Sequence, residues 1–279
     1  MPKATLLLAA QCEQAILPTV YEFLSRYDIS PVDTQEYCIA AGRFARLEWP
    51  INENLVSTEQ FELTFNDIAK ASNFEYRVAY SDSAYRVGLF CPTNNDCLEH
   101  ILQKYSPLSG DAMQIAFVIG DKEGLELAAN RYGVPYFCVE ADDGVAREAQ
   151  FLQLISRYKP DLFAMMPRSD NFSAGLLKKL PCSVLAVSEA RVPSNAPGLV
   201  LDAGLAGAGV LLASAFLLEG DVNRPQLVVQ QAQPLTQKSE FAQLYSEQEI
   251  LEYQVLVAAL SKFAYNKVIA YKHYLYAFD

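Results

Sequence analysis

Residues 5–49 read TLLLAAQCEQAILPTVYEFLSRYDISPVDTQEYCIAAGRFARLEW, and their changing period decides the N-terminal fold. Thr5 to Ala10 is a short apolar strand. Ile16, Leu17, Val20, Phe23, Leu24 and Tyr27 then recur at helical spacing. Val32 to Ala40 and Phe44 to Trp49 read as two strands joined by a tight turn at Ala41-Gly42, the pattern of a hairpin. Further along, Ser57-Thr58 caps a second helix with Phe61, Phe65, Ile68 and Ser72 on one face. Tyr76 to Tyr80 supplies a last strand. The order βαββαβ predicts a ferredoxin-like unit, one antiparallel sheet with two helices on one side.

Polar Ser81-Asp82-Ser83 reads as a linker, dividing the chain into domains of residues 1–82 and 83–279. Beyond it, strands alternate with helices. Arg86 to Cys91 is a strand, Asp96 to Tyr105 a helix and Met113 to Ile119 a strand. Leu125, Ala128, Ala129 and Tyr132 form a helical face ended by Gly133, with Pro135 two residues on. Strands at Tyr136 to Val139, Leu162 to Met166 and Ser183 to Val187 alternate with helices at Val145 to Tyr158 and Ala174 to Leu180. That alternation predicts a parallel, Rossmann-like α/β sheet with its ligand site at the carboxyl ends of the strands. A final helix, Glu247 to Phe263, precedes a last strand, Val268 to Tyr276.

Composition narrows the function classes. The 279 residues are 51% hydrophobic and 20% charged, the balance of a folded globular chain. With 22 Lys+Arg against 33 Asp+Glu the net charge is -11, which opposes binding to a nucleic-acid backbone or an anionic membrane. The apolar run near Met1 is too short for a signal peptide, and Ala203 to Leu218 carries three glycines and falls short of a membrane span. A cytoplasmic protein is expected. Six cysteines without a C-x-x-C pair, and only His100 and His273, give little support to zinc. The cysteines are expected to be free buried thiols.

Gly42-Arg43-Phe44, Arg46-Leu47-Glu48-Trp49, Tyr85-Arg86-Val87-Gly88-Leu89-Phe90, Asp96-Cys97-Leu98, Ala129 to Pro135 and Asn266 to Tyr271 occur in a spaced order along nearly the whole chain. The set resembles formyltetrahydrofolate deformylases, an ACT regulatory domain followed by a formyltransferase-type hydrolase domain. That resemblance implies hydrolysis of 10-formyltetrahydrofolate to formate and tetrahydrofolate, in one-carbon metabolism linked to purine biosynthesis. It implies a homodimer or homotetramer, and a folate or other small anionic ligand with no separate cofactor.

The family places Asn and His in a strand-end motif N-I-H-x-S-x-L-P, and an Asp further on. The matching segment here is Ala186-Val187-Ser188-Glu189-Ala190-Arg191-Val192-Pro193. Ala186 stands at the Asn position and Ser188 at the His position. A methyl group cannot polarise a formyl oxygen, and a serine hydroxyl offers no titrating nitrogen. The carboxylate falls to Asp221 or Glu219 in Leu218 to Pro225. The expected function is therefore a catalytically impaired or inactive homologue acting in binding or regulation. The alternative is an active hydrolase with a rearranged site built on Ser188 and Asp221.

Asn94, after the first strand of the larger domain, Gly120-Asp121, after the second, and Arg168 and Arg191, past two later strand ends, are the candidate ligand-binding residues. Arginines at strand ends can pair with a carboxylate; Asn94 equally suits a helix cap. In the first domain the family's effector turn, C-P-D-x-x-G-I, corresponds to Ala10-Gln11-Cys12-Glu13-Gln14-Ala15-Ile16, with Cys12 for Asp and Ala15 for Gly.

Overall fold

A computed structural model describes residues 3–51, 57–81, 84–92, 95–120, 123–139, 144–166, 173–189, 210–219, 225–234, 241–272 and 274–278. By packing, the chain divides into a unit of residues 1–84 with 262–279 and a unit of residues 85–261.

The first unit opens with β1 (Lys3–Ala10), α1 (Ile16–Ser25), β2 (Asp33–Ile39), β3 (Gly42–Pro50), α2 (Thr58–Ala71) and β4 (Glu75–Tyr80). The strands form one antiparallel sheet in the order β2-β3-β1-β4, the ferredoxin-like arrangement. The Ser57 hydroxyl accepts from the Gln60 amide at 3.2 Å and caps α2, as its sequence requires.

β1 lacks polar alternation because both of its faces are covered. Leu6, Leu8 and Ala10 join a core with Phe23, Phe61 and Phe65 from the two helices. Leu7 and Ala9 face the opposite way, into a cluster with Phe44, Ile269, Tyr271 and Phe278. The second cover is the C-terminal segment, and here the structure departs from the expectation. The sequence predicts one strand, Val268 to Tyr276, in the larger domain. Val268–Tyr271 and Tyr274–Ala277 instead form two antiparallel strands packed on the first sheet. Lys272, at φ 56°, carries a turn that no glycine announces.

The second unit contains the next five strands and their helices in alternation. These are β5 (Tyr85–Phe90), α3 (Asn95–Tyr105), β6 (Met113–Gly120), α4 (Glu126–Arg131), β7 (Tyr136–Cys138), α5 (Gly144–Tyr158), β8 (Leu162–Met165), α6 (Ala174–Leu177) and β9 (Ser183–Glu189). They are followed by β10 (Val210–Leu218), β11 (Gln226–Pro234) and α7 (Phe241–Ala264); β12 (Val268–Tyr271) and β13 (Tyr274–Ala277) are the C-terminal pair described above.

The seven-stranded sheet has the order β11-β10-β9-β8-β5-β6-β7. β5 to β9 run parallel, and β10 and β11 close the sheet antiparallel. The order reverses between β5 and β8, which is where a ligand crevice is expected in such sheets.

Gly88 at the centre of β5 has a steric reason. A Cβ there would lie 2.5 Å from Phe117 Cζ and 2.8 Å from Phe163 Cδ2, two fully buried rings with no room to withdraw. Gly88→Ala is expected to cost about 1–3 kcal/mol through overpacking, read as a lower urea midpoint at unchanged slope.

The cysteines also depart from the sequence reading. Cys12 and Cys38 are bonded, with their Cα atoms 5.8 Å apart. Cys91 is a buried thiol, Cys97 and Cys182 are half-buried and Cys138 is exposed. The hairpin register sets Cys38 opposite Arg43, whose strand neighbour on the other side is Ala10 at the end of β1. That geometry delivers the β1–α1 turn to Cys38, and no spacing rule in the sequence predicts it.

Candidate functional site

The carboxyl ends of β5, β6 and β8 converge at the reversal in strand order. The Cys91 amide donates to Ile119 O at 2.8 Å and the Met166 amide to Phe90 O at 2.9 Å, so the three strand ends are held level. Gly120 closes β6, where a Cβ would meet the Tyr136 hydroxyl and, at 3.0 Å, the Cys91 carbonyl. Its lack of a side chain is thereby explained by packing between neighbouring strands. Asn94, Asp121, Arg168, Arg191 and Asp221 lie outside the described residues, as does the glycine-rich stretch containing Gly204, Gly207 and Gly209.

β9 borders this region. Ala186 pairs with Met165 of β8 on one side and Phe216 of β10 on the other. Residues directly opposite in a ladder project to the same face, so three apolar side chains lie in a row across the sheet. Ser188 stands two residues further along, its backbone paired with Ser214.

Glu219 is placed elsewhere. The Ser183 hydroxyl donates to Glu219 Oε1 at 3.3 Å, at the start of β9, and Leu218 pairs with Val184. Five residues separate Ser183 from Ser188, roughly 16 Å of strand. Glu219 therefore does not stand in for a carboxylate beside Ser188. The reason is the antiparallel direction of β10, which carries its last residues to the amino end of β9.

A polar line beside β9 was not read from the sequence. Ser214, buried at 1% exposure, accepts a hydrogen bond from Gln230 Nε2 of β11 at 2.9 Å. From α7, Gln248 Nε2 donates to Leu212 O at 3.1 Å and to Glu252 Oε1 at 2.9 Å. Glu252 is only 1% exposed. The signal was present as Gln248 and Glu252, one turn apart amid Leu251, Val255, Leu256 and Ala259, but an apolar helix tolerates such a pair without announcing where it points.

His100 lies on α3 with its ring 6.0 Å from that of Tyr253 of α7. Burial, the nearby Cys97 thiol and Tyr105 hold the Tyr253 hydroxyl above its ordinary range, outweighing the opposing charge of Lys104. His273 lies outside the described residues. No group of three or more His, Cys, Asp or Glu among the described residues is placed to hold a metal ion. No helix among them is long and apolar enough to cross a membrane.

No family model matches the sequence, and no curated protein does. Solved structures do. A formyltetrahydrofolate deformylase from Pseudomonas syringae pv. tomato superposes with a TM-score of 0.86, covering 100% of this chain and 95% of that one at 17% identity. One from Burkholderia mallei gives 0.85, covering 100% of both chains at 16% identity. Glycinamide ribonucleotide transformylase 1 of Symbiobacterium toebii gives 0.59 at 19% identity, covering 70% of this chain and 95% of that one. The chain thus has the fold of formyltetrahydrofolate deformylases over its whole length, with a parallel-sheet formyltransferase-type unit shared with the transformylase.

Proposed function

We propose that this chain is a deformylase-like protein in which formyl hydrolysis is lost and a folate or other small anionic ligand is still bound, in a binding or regulatory role. One observation carries the reading: the row Met165, Ala186, Phe216. At the position where the resemblance expects an amide donor, the row offers no hydrogen-bond donor.

Formyl hydrolysis needs a donor for the oxygen of the tetrahedral intermediate, a group that moves a proton and a carboxylate that orients water. Ala186 supplies none of these, and Glu219 is occupied with Ser183. In this reading the first unit is an ACT-type regulatory module, the assembly is a homodimer or homotetramer, and the protein works in the cytoplasm. The setting is one-carbon metabolism that serves purine biosynthesis. The alternative keeps hydrolysis alive through Ser188 and Asp221 in a rearranged site.

Equilibrium titration of the full chain with tetrahydrofolate, followed by calorimetry, tests the binding half of this proposal. Saturable uptake of one ligand per chain is expected. No heat at millimolar ligand, from protein with a cooperative unfolding transition, overturns it.

A further inference from the structure

We propose that Cys12 and Cys38 form a thiol-reversible cross-link, a redox modification site that governs the freedom of the β1–α1 turn. The order β2-β3-β1 leaves β3 between β2, which carries Cys38, and β1, whose end leads into the turn at Cys12. The bond therefore straddles the end of β3 instead of joining ladder neighbours, and it ties the turn at residues 11–15 to an edge strand.

Little else holds that turn. Gln14 donates from its amide to Gln11 O at 3.0 Å and from its side chain to Ser72 O at 3.1 Å. Arg43 Nε donates to the Cys12 carbonyl at 3.1 Å. Helix α1 starts at Ile16, and its N-cap residue Ala15 provides no side-chain cap. Among the described residues, the covalent tie links this turn to β2 beside a weak contact between Cys38 Sγ and the Cys12 carbonyl at 3.8 Å.

The site is also chemically open. Cys38 is exposed and Cys12 half-buried. Arg43 pairs with Cys38 in the ladder, and its guanidinium bonds to the Cys12 carbonyl and pairs with Glu36 Oε1 at 3.4 Å, so its charge beside the two cysteines is offset by that carboxylate. A dithiol reductant attacks Cys38 Sγ through its thiolate and the sulfur–sulfur bond breaks, with Cys12 leaving as thiolate. The reductant's second thiolate then displaces Cys38, and proton uptake yields two protein thiols and one reductant disulfide, a two-electron exchange. Two of the other cysteines are poor competitors: Cys91 is buried, and burial together with the Asp161 charge pushes Cys182 up to about 11.

The test uses the full chain purified without reductant. Alkylation in denaturant is expected to modify four of the six cysteines, and six after treatment of the native protein with dithiothreitol. Peptide mapping is expected to join residues 12 and 38. Hydrogen exchange at residues 11–16 and 33–39 is expected to rise at least tenfold on reduction, with Met113–Gly120 unchanged. Six free thiols in air-oxidised protein, a bond that resists dithiothreitol in the native state, or unchanged exchange in those two segments would each overturn the proposal. Cys12→Ser in oxidising buffer should show the exchange of reduced wild type. Should that variant not fold, reduced wild type alone decides the outcome.

Discussion

Formate release from 10-formyltetrahydrofolate is expected to run at least about 1000-fold slower than in a deformylase carrying the Asn and His pair. Removing one oxyanion donor costs about 100- to 1000-fold, and removing a general acid–base group about 100- to 10000-fold, the two losses being less than additive. In the proposed reading Ala186 removes the first and Ser188 the second. The measurement is formate production under saturating substrate, with enough protein to detect a 10000-fold deficit. A rate within tenfold of the reference enzyme would sink the reading and turn attention to Asp221→Asn and Ser188→Ala. Loss of that rate in either variant would then establish the rearranged site.

The second large effect is structural. Arg46→Ala is expected to cost roughly 1–3 kcal/mol, the range for leaving buried hydrogen-bond acceptors without their donor. Arg46 lies in β3 at 4% exposure. Its guanidinium bonds to Asp33 Oδ2 at 2.8 Å, Glu48 Oε2 at 2.6 Å and the Asn266 carbonyl at 3.2 Å. Truncation leaves two carboxylates facing each other and a carbonyl without its donor. Arg46→Lys keeps the charge but not the planar fork, and should recover only part of the loss. Urea midpoints at unchanged slope provide the measurement, and a loss under 1 kcal/mol would refute the assignment.

The same network fixes a pH dependence. Burial alone would raise the Glu48 carboxyl, but hydrogen bonds from Lys3 and Arg46 and their charges outweigh it and hold the carboxyl below its ordinary 4.5. The folded state therefore binds this proton less readily than the unfolded chain. The contribution is full above pH 4.5 and is lost as pH falls through the lower folded value. The stability gap between wild type and Arg46→Ala should close over that interval.

The elements that could be read from sequence are those whose own residues set the pattern. Phe61 and Phe65 on α2 and Ala128 and Ala129 on α4 face cores at helical spacing. Asn266 and Arg46, quoted separately as parts of a resemblance, proved to be bonded to each other across 220 positions. What sequence could not give depends on direction and partner. The reach of Cys12 to Cys38, the turn at Lys272 and the placement of Glu219 at the amino end of β9 all follow from strands finding one another. Gln248 and Glu252 show the same limit. Their spacing was visible, but their burial beneath Leu212 is a property of the packed sheet.

The C-terminal strand pair has a consequence for how the protein is made. Residues 85–261 are, in chain order, an insertion within the first unit, whose sheet is covered on one face by residues 268–278. During translation Leu7, Ala9 and Phe44 precede their partners Ile269, Tyr271 and Phe278 by 225 to 271 residues. At roughly 5–20 residues per second that interval lasts about 11–54 seconds. The inserted unit can complete its fold as the nascent chain lengthens, whereas the first unit waits for residues 268–278 to cover its sheet.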